Sequence, residues 1–369
     1  MSAILKLTMP KWGLSMTEGR LVSWLVQEGA QIEPGMEVCD VETDKIANAI
    51  ESNVSGTLRR KVAQEGDVVS VSGLLGVVAD AAVSDAEIDA FVQDFQANFV
   101  PPSPEGESGP EAQKIEVAGR SLRYLKRGEG GVPVVLLHGF GGDLNNWLFN
   151  HEPLSGTREV YALDLPGHGE SSKQIERGDV GELAEVVAAF MDAVNISRVH
   201  LVGHSLGGAV AASIASAEPE RVASLTLIAS AGLGEEINAD YIEGFVGART
   251  RNELKPHLQQ LFADSSLVTR QLVDDVLKYK RLDGVDEALR KIADSAFAGG
   301  RQSLLMRDQL GELSVPILVL WGAEDKIIES SHAQDLPANA RVEIFPDRGH
   351  MVQMEAAAEV NRVLDEFLR

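Results

Sequence analysis

Residues Val199 to Ala211 read VHLVGHSLGGAVA, and the fold of the larger part of the chain follows from how that stretch divides. Its first residues are β-branched and apolar, as in a buried strand, and from Leu206 onward small apolar residues suit a helix, so Ser205 falls at the junction. Gly203 and Gly207 stand two residues to either side. A serine on so sharp a strand-to-helix turn needs glycine at both places, because a Cβ would collide where the backbone doubles back. The expected product is an exposed, strained nucleophile with the Leu206 amide pointing into the same pocket.

The sequence around this elbow, from Lys114 onward, alternates strands with helices and predicts a mostly parallel sheet. IEVAGRSLRYLKRG reads as an opening hairpin, VVLLHGF as a buried strand running into a loop, and VYALDLPGHGESS and VHLVGHS as the next core strands, with a crossover helix over Gly181–Val194. PILVLWGAEDKII and ARVEIFPDRGHMV each end in a polar loop at the carboxyl edge, where such sheets bind ligands. Asp325 and His350 occupy those loops, so the chain order is Ser, Asp, His. A serine hydroxyl becomes a useful nucleophile when an imidazole takes its proton, and a carboxylate on the far nitrogen fixes the tautomer. Glu324 is the rival carboxylate. The glycines of His138-Gly139-Phe140-Gly141-Gly142 let the backbone approach a reacting carbonyl, and the amides of Phe140 and Leu206 are expected to form the oxyanion hole. Between Gly232 and Ser314 the pattern becomes helical and predicts a cap over the pocket. HGFGG, DLPGHGES, GHSLGG, WGAEDKII and DRGH together resemble α/β-hydrolases of the esterase, perhydrolase and C–C hydrolase type, over residues 114–369.

The first eighty residues are built differently. GRLVSWLVQEGAQI from Gly19 aligns with GTLRRKVAQEGDVV from Gly56, and Gln-Glu-Gly at 27–29 recurs at 64–66. Both copies are short β-rich runs, so two half-sheets packed face to face are expected, related by a pseudo-two-fold. VETDKIANAIES lies between them and places Lys45 on a projecting hairpin. MPKWGLSMTEGRLVSWLVQEG followed by VETDKI resembles the lipoyl domain of 2-oxo acid dehydrogenase-type complexes, which implies lipoic acid in amide linkage on Lys45. Biotin carriers share that fold but flank their lysine with methionines, and Asp44 and Ile46 are not methionine. The single cysteine, Cys39, reads as a small core residue.

Residues 81–112 carry seven acidic and no basic side chains. Ser84-Asp85-Ala86-Glu87 is a capping box, and Ile88, Phe91, Val92, Phe95 and Phe99 follow at helical spacing. The helix's apolar stripe is expected to dock on the hydrolase domain or, in the other reading, on a partner subunit or second protomer, so a homo-oligomer stays open. PPSPEGESGPEA is too polar and too rich in Pro and Gly to fold, and as a flexible chain it reaches about 20 Å. The domains are then 1–80 lipoyl, 81–112 acidic linker with a short helix, and 113–369 hydrolase with the cap at about 232–314. The fold class is multidomain, an N-terminal all-β lipoyl/biotinyl-type sandwich plus a C-terminal α/β-hydrolase fold with a helical cap.

A net charge of −23 argues against nucleic acid and anionic membranes as partners. No run approaches the about 18 apolar residues of a membrane span, and with one cysteine the reading is a cytoplasmic protein without a metal site. The whole architecture resembles the acetyltransferase component of acetoin dehydrogenase systems. That resemblance implies transfer of an acetyl group from S-acetyldihydrolipoyl-Lys45 to coenzyme A, with thiamine-diphosphate-dependent and flavin-dependent enzymes and a lipoylating enzyme as partners. None of the eight histidines is followed by Asp-Gly in the H-x-x-x-D-G motif of other lipoyl acyltransferases, so their oligomeric core is not implied. Two other classes stay open: an ester or thioester hydrolase with an appended carrier, and a carrier or scaffold with a non-essential hydrolase domain. Residues 113–369 carry 26 basic and 38 acidic side chains, net −12, so coenzyme A needs a local basic site, for which Arg249, Arg251 and Lys255 of the cap are candidates.

Overall fold

Leu21, Val38 and Val41 are fully buried, and so are Leu58, Leu75 and Val78, each 37 residues further on. The repeat in the sequence is thus a repeat in the core. In the computed structural model, which describes residues 4–10, 16–43, 47–52, 54–99, 101 and 111–369, the chain forms two compact units, Met1–Gly109 and Pro110–Arg369.

The first unit holds β1 (Ile4–Thr8), β2 (Glu18–Trp24), β3 (Gln31–Ile32), β4 (Glu37–Glu42), β5 (Ala47–Glu51), β6 (Gly56–Lys61), β7 (Val68–Ser70) and β8 (Leu74–Ala79). They make two four-stranded antiparallel sheets, ordered β1-β8-β6-β3 and β5-β4-β2-β7, whose members correspond one to one. Hydrogen bonds cross between the repeats in matched pairs. The Gly29 amide donates to the Leu58 carbonyl at 2.7 Å, and Gly66 does the same to Leu21 at 2.7 Å. The Glu28 carboxylate accepts from the Lys61 amide at 2.6 Å, as Glu65 accepts from Trp24 at 3.1 Å. Gly29 and Gly66 have φ of 89° and 95°, a conformation that a side chain would strain, which is why Gln-Glu-Gly recurs. Cys39 lies fully buried in this core, and burial pushes its thiol up to about 12.

The amphipathic segment forms α1 (Asp85–Asn98), opened by the Ser84–Glu87 capping box. Its stripe packs within the first unit. Ile88 is fully buried with Leu74, Val77, Ala79 and Val83, and Phe91, Val92 and Phe95 pack on the same cluster, so the outer face of the sandwich takes it up. Arg59 holds the start of the helix, donating to the Asp80 and Val83 carbonyls at 2.9 and 3.0 Å and pairing with Asp85 at 2.8 Å. β8 therefore carries apolar side chains on both faces, as its unbroken burial requires.

The second unit holds β9 (Gln113–Val117), β10 (Arg120–Arg127), β11 (Val134–Leu137), β12 (Val160–Leu163), β13 (Val199–His204), β14 (Val222–Ile228), β15 (Ile317–Gly322) and β16 (Ala340–Phe345). One sheet runs β16-β15-β14-β13-β11-β12-β10-β9, with the pairs from β16 to β12 parallel and β9 and β10 antiparallel. β12 leaves β11 on one side and β13 returns on the other, so the loops after β11 and β13 are neighbours at the carboxyl edge. The helices are α2 (His151–Leu154), α3 (Val180–Ala193), α4 (Leu206–Ala217), the cap helices α5 (Ala239–Gly247), α6 (Arg251–Gln259), α7 (Arg270–Lys280), α8 (Val285–Ala296) and α9 (Arg307–Glu312), then α10 (Val352–Glu355) and α11 (Ala357–Phe367). Among the described residues no helix is long and apolar enough to cross a membrane.

Candidate active site

Ser205 joins β13 to α4 with φ 53° and ψ −119°, an uncommon conformation for a residue with a side chain. The turn is fixed from all sides. The Ser205 amide donates to the Ile228 carbonyl at 2.9 Å, and the Ser205 carbonyl accepts from Gly208 and Ala231 at 2.9 and 3.0 Å. A Cβ on Gly203 would stand 2.2 Å from the Gly207 carbonyl oxygen, and one on Gly207 would stand 2.3 Å from that of Leu137. Both glycines are therefore demanded by backbone that cannot yield.

β11 delivers the second wall. A Cβ on Gly139 would come within 2.9 Å of the Ser205 Cβ, so only glycine lets this loop lie against the serine. His138 braces it from below. Its Nε2 accepts from the Leu165 amide at 3.0 Å, which leaves the proton on Nδ1 to be donated to the Gly139 carbonyl at 2.8 Å. Burial holds His138 down at about 4, so it stays neutral. The Phe140 ring is anchored edge-on between Phe245 and Phe297 of the cap, at 6.0 and 5.9 Å between centroids. Neither the Phe140 amide nor the Leu206 amide takes a backbone acceptor among the described residues. Two free donors, one at the start of α4 and one in the loop after β11, suit a developing oxyanion.

Asp325 follows β15 and His350 follows β16. One Asp325 oxygen accepts from the Ile327 and Ile328 amides at 2.8 and 3.0 Å, and the other lies 2.8 Å from His350 Nδ1. A carboxylate can only accept, so Nδ1 carries the proton and Nε2 keeps its lone pair. Both side chains are buried, whereas Glu324, the rival carboxylate, is exposed. His204 donates from Nε2 to the His350 carbonyl at 2.9 Å and so supports the loop that carries the imidazole.

Ser205 and His350 line one cavity. The cap supplies its walls, among them Ile237, Phe245, Leu258, Phe262, Leu272 and Phe297, none of which the sequence pattern had singled out. A Cβ on Gly141 would stand 2.4 Å from the Phe245 ring, so this glycine is what lets the cap reach the loop after β11. Among the described residues no lysine or arginine lines the cavity. Such a chamber fits an acyl thioester and a thiol.

Two of the three cap cations proposed for phosphates are committed elsewhere. Arg249 pairs with Asp286 at 3.1 Å and caps the Val246 carbonyl at 2.8 Å, and Arg251 forms a two-point pair with Asp274. Lys255 is exposed on α6. A cation that the sequence reading passed over, Lys280, is buried among three cap helices, donating to the Phe245 and Val246 carbonyls at 2.7 and 3.2 Å. A lysine in an amphipathic helix carries no sign of such a role, because its donors are satisfied by backbone that only the packing brings near.

Lys45, with Asp44 and Ile46, lies outside the described residues, as do positions 102–110 of the connector. The strands to either side of Lys45 are paired antiparallel, Glu42 opposite Ala47. A connection between adjacent antiparallel strands is where a lysine to be modified by another enzyme belongs.

The comparisons with known proteins agree with this architecture. Residues 5–78 match the family model described as biotin-requiring enzyme, and residues 132–357 match that of the alpha/beta hydrolase fold. A meta-cleavage product hydrolase from Pseudomonas fluorescens IP01 superposes with a TM-score of 0.63 at 26% identity, covering 69% of this chain and 96% of that one. Fold and site thus define a class: an α/β-hydrolase that carries a domain of the biotin/lipoyl type. The dihydrolipoyllysine-residue acetyltransferase component of the acetoin cleaving system of Pseudomonas putida is 56% identical over the full length of both chains. The component of the same name from Cupriavidus necator is 49% identical, over 99% of this chain and 97% of its own. The chain belongs to this family, the dihydrolipoyllysine-residue acetyltransferase components of acetoin cleaving systems.

Proposed function

We propose that the chain is the acyltransferase of an acetoin-cleaving multienzyme system and moves an acetyl group from S-acetyldihydrolipoyl-Lys45 to coenzyme A. The observation that carries this reading is a cavity walled largely by apolar side chains with Ser205 and His350 in its lining, in a chain alike over its whole length to acetyltransferases of that system. Amide-linked to Lys45, lipoic acid supplies a dithiol arm able to carry an acyl group as a thioester.

The residues then divide the work. Ser205 Oγ attacks the thioester carbonyl while His350 Nε2 takes its proton, and Asp325 keeps the imidazole in that tautomer and stabilises it once charged. The Phe140 and Leu206 amides receive the oxyanion. His350 returns the proton to the departing sulfur; the thiol of coenzyme A next gives its proton to His350 as its sulfur attacks the serine ester, and His350 passes that proton to Ser205 Oγ as the oxygen leaves. The apolar cap walls favour this order, since water must be kept from the ester until the thiol arrives. The nucleotide end of coenzyme A stays outside the cavity, which offers it no cation. In the rival course, His350 activates the thiol for direct attack and Ser205 forms no ester.

The partners under this reading are thiamine-diphosphate-dependent and flavin-dependent subunits and a lipoylating enzyme. The deciding experiment incubates the full chain with acetylated dihydrolipoamide and coenzyme A, and assays free thiol, acetyl-coenzyme A and acetate together. Acetyl-coenzyme A is the expected product. Acetate alone would make the protein a thioesterase, and full transfer by Ser205→Ala would remove the serine ester.

A further inference from the structure

His350 is set by Asp325 through its side chain, but the loop that carries it is held by something else. The Gly349 amide donates to one oxygen of the Glu355 carboxylate at 3.0 Å. The other oxygen of the same carboxylate accepts from the Ala263 amide, also at 3.0 Å. Ala263 follows Leu261 and Phe262, which line the cavity from the cap side, while His350 and Met351 line it from the sheet side. A third bond closes the circuit, from the Met351 amide to the Leu261 carbonyl at 3.1 Å. The two segments touch through backbone: a Cβ on Gly349 would stand 2.6 Å from the Ala263 nitrogen and 2.8 Å from the Phe262 carbonyl carbon.

We propose that Glu355 is a positioning residue that couples the closed cap to the placement of the catalytic imidazole. One carboxylate spans the two segments, so neither can move without unmaking the bond to the other. The chemistry requires an anion. A carboxylate offers an acceptor on each oxygen, and two amides need one each, whereas a carboxamide would present an N–H to one of them. Burial raises the pKa of Glu355, while the two amides and Arg348 lower it and Asp325 raises it further. The net effect of that burial is upward, and the two amides that the carboxylate joins favour the charged form against it. Substrate entering under the cap and the imidazole taking its working position become a single event.

This inference rests on the reading of His350 as the base, and the test keeps the two apart. Glu355→Gln and Glu355→Ala are made in the full chain, and amide hydrogen exchange is followed at 261–263 and 349–351 beside acetyl transfer from acetylated dihydrolipoamide to coenzyme A. In Glu355→Gln, which keeps size and one acceptor, exchange is expected to rise about tenfold or more in both segments together. In the same variant kcat is expected to fall about tenfold and KM for the acetyl donor to rise, with the melting temperature nearly kept. Exchange rising in one segment only, or a change confined to kcat or to KM, overturns the coupling. Should Glu355→Ala fail to fold, the glutamine variant still decides. Should the wild type transfer no acetyl group, the functional reading falls while the exchange result continues to judge the clasp.

Discussion

The two units solve opposite problems with opposite means. The first is nearly symmetric, and matched bonds such as Gly29 to Leu58 and Gly66 to Leu21 tie each half to the other. It contains no histidine at all. The second holds all eight histidines, seven of them buried. A carrier has only to present one lysine, so a small self-braced sandwich suffices. An acyl-transfer site must hold groups from distant strands in fixed relation, which takes a large sheet, strained backbone and desolvated imidazoles. Symmetry thus accompanies the carrier unit, and buried imidazoles accompany the unit of the acyl-transfer site.

The sharpest way to break this division is to remove one chemical group from each unit. Ser205→Ala is expected to lower acetyl transfer by roughly 10⁴-fold or more, while mass spectrometry finds Lys45 lipoylated as before. Lys45→Arg is expected to abolish turnover on the tethered arm and to leave acyl transfer from free acetylated dihydrolipoamide intact. If Ser205→Ala leaves Lys45 without lipoic acid, or Lys45→Arg stops transfer from the free donor in folded protein, this division of labour fails. Next in size is Asp325→Asn, expected to cost roughly 10³- to 10⁴-fold in kcat through the wrong imidazole tautomer, with the fold retained by circular dichroism.

Acid sharpens the comparison further. Burial depresses His138 and His151 from the usual 6.5 to about 4, so the folded unit binds fewer protons than the unfolded chain. Their contribution is full above pH 6.5 and is lost as pH falls toward 4, about 3 kcal/mol for each at the end of that range. Asp164, raised to about 6 by burial, works in the opposite sense, its contribution being full below 3.8 and lost as pH rises through 6. Two imidazoles outweigh one carboxyl, so the melting temperature of the hydrolase unit should drop between pH 6.5 and 5 while that of the sandwich, without histidine, holds. A scan in which both transitions fall together would contradict this account.

The smallest effects concern α1. Ile88→Ala is expected to destabilise the first unit by about 2–4 kcal/mol, since it empties the cluster against β8. Ser84→Ala should cost about 1 kcal/mol through loss of the cap. Chemical denaturation measures both, and neither substitution should alter acyl transfer from the free donor.

Much of this was legible without coordinates. The glycines around Ser205 announce a turn that only glycine permits, and the 37-residue offset of the repeat announces two interlocked halves. The order of Ser205, Asp325 and His350 at the ends of apolar strands placed all three at one edge. Other features left no mark. The stripe of α1 reads the same whether it meets its own sandwich or another surface, and here the apolar outer face of β8 decides. Arg249 and Arg251 look as free for phosphates as Lys255 until Asp286 and Asp274 are seen beside them.

The sequence alone thus determined what is local and periodic: the strands, the strained elbow, the internal repeat and the residue types available for acyl transfer. Only the tertiary structure decided which side chains wall the cavity, which cations are already spent, and that Glu355 holds the cap to the imidazole loop. The physical reason is range. Backbone strain and side-chain periodicity act within a few residues, whereas a carboxylate shared between amides 86 positions apart, Ala263 and Gly349, is chosen by packing that no single segment encodes.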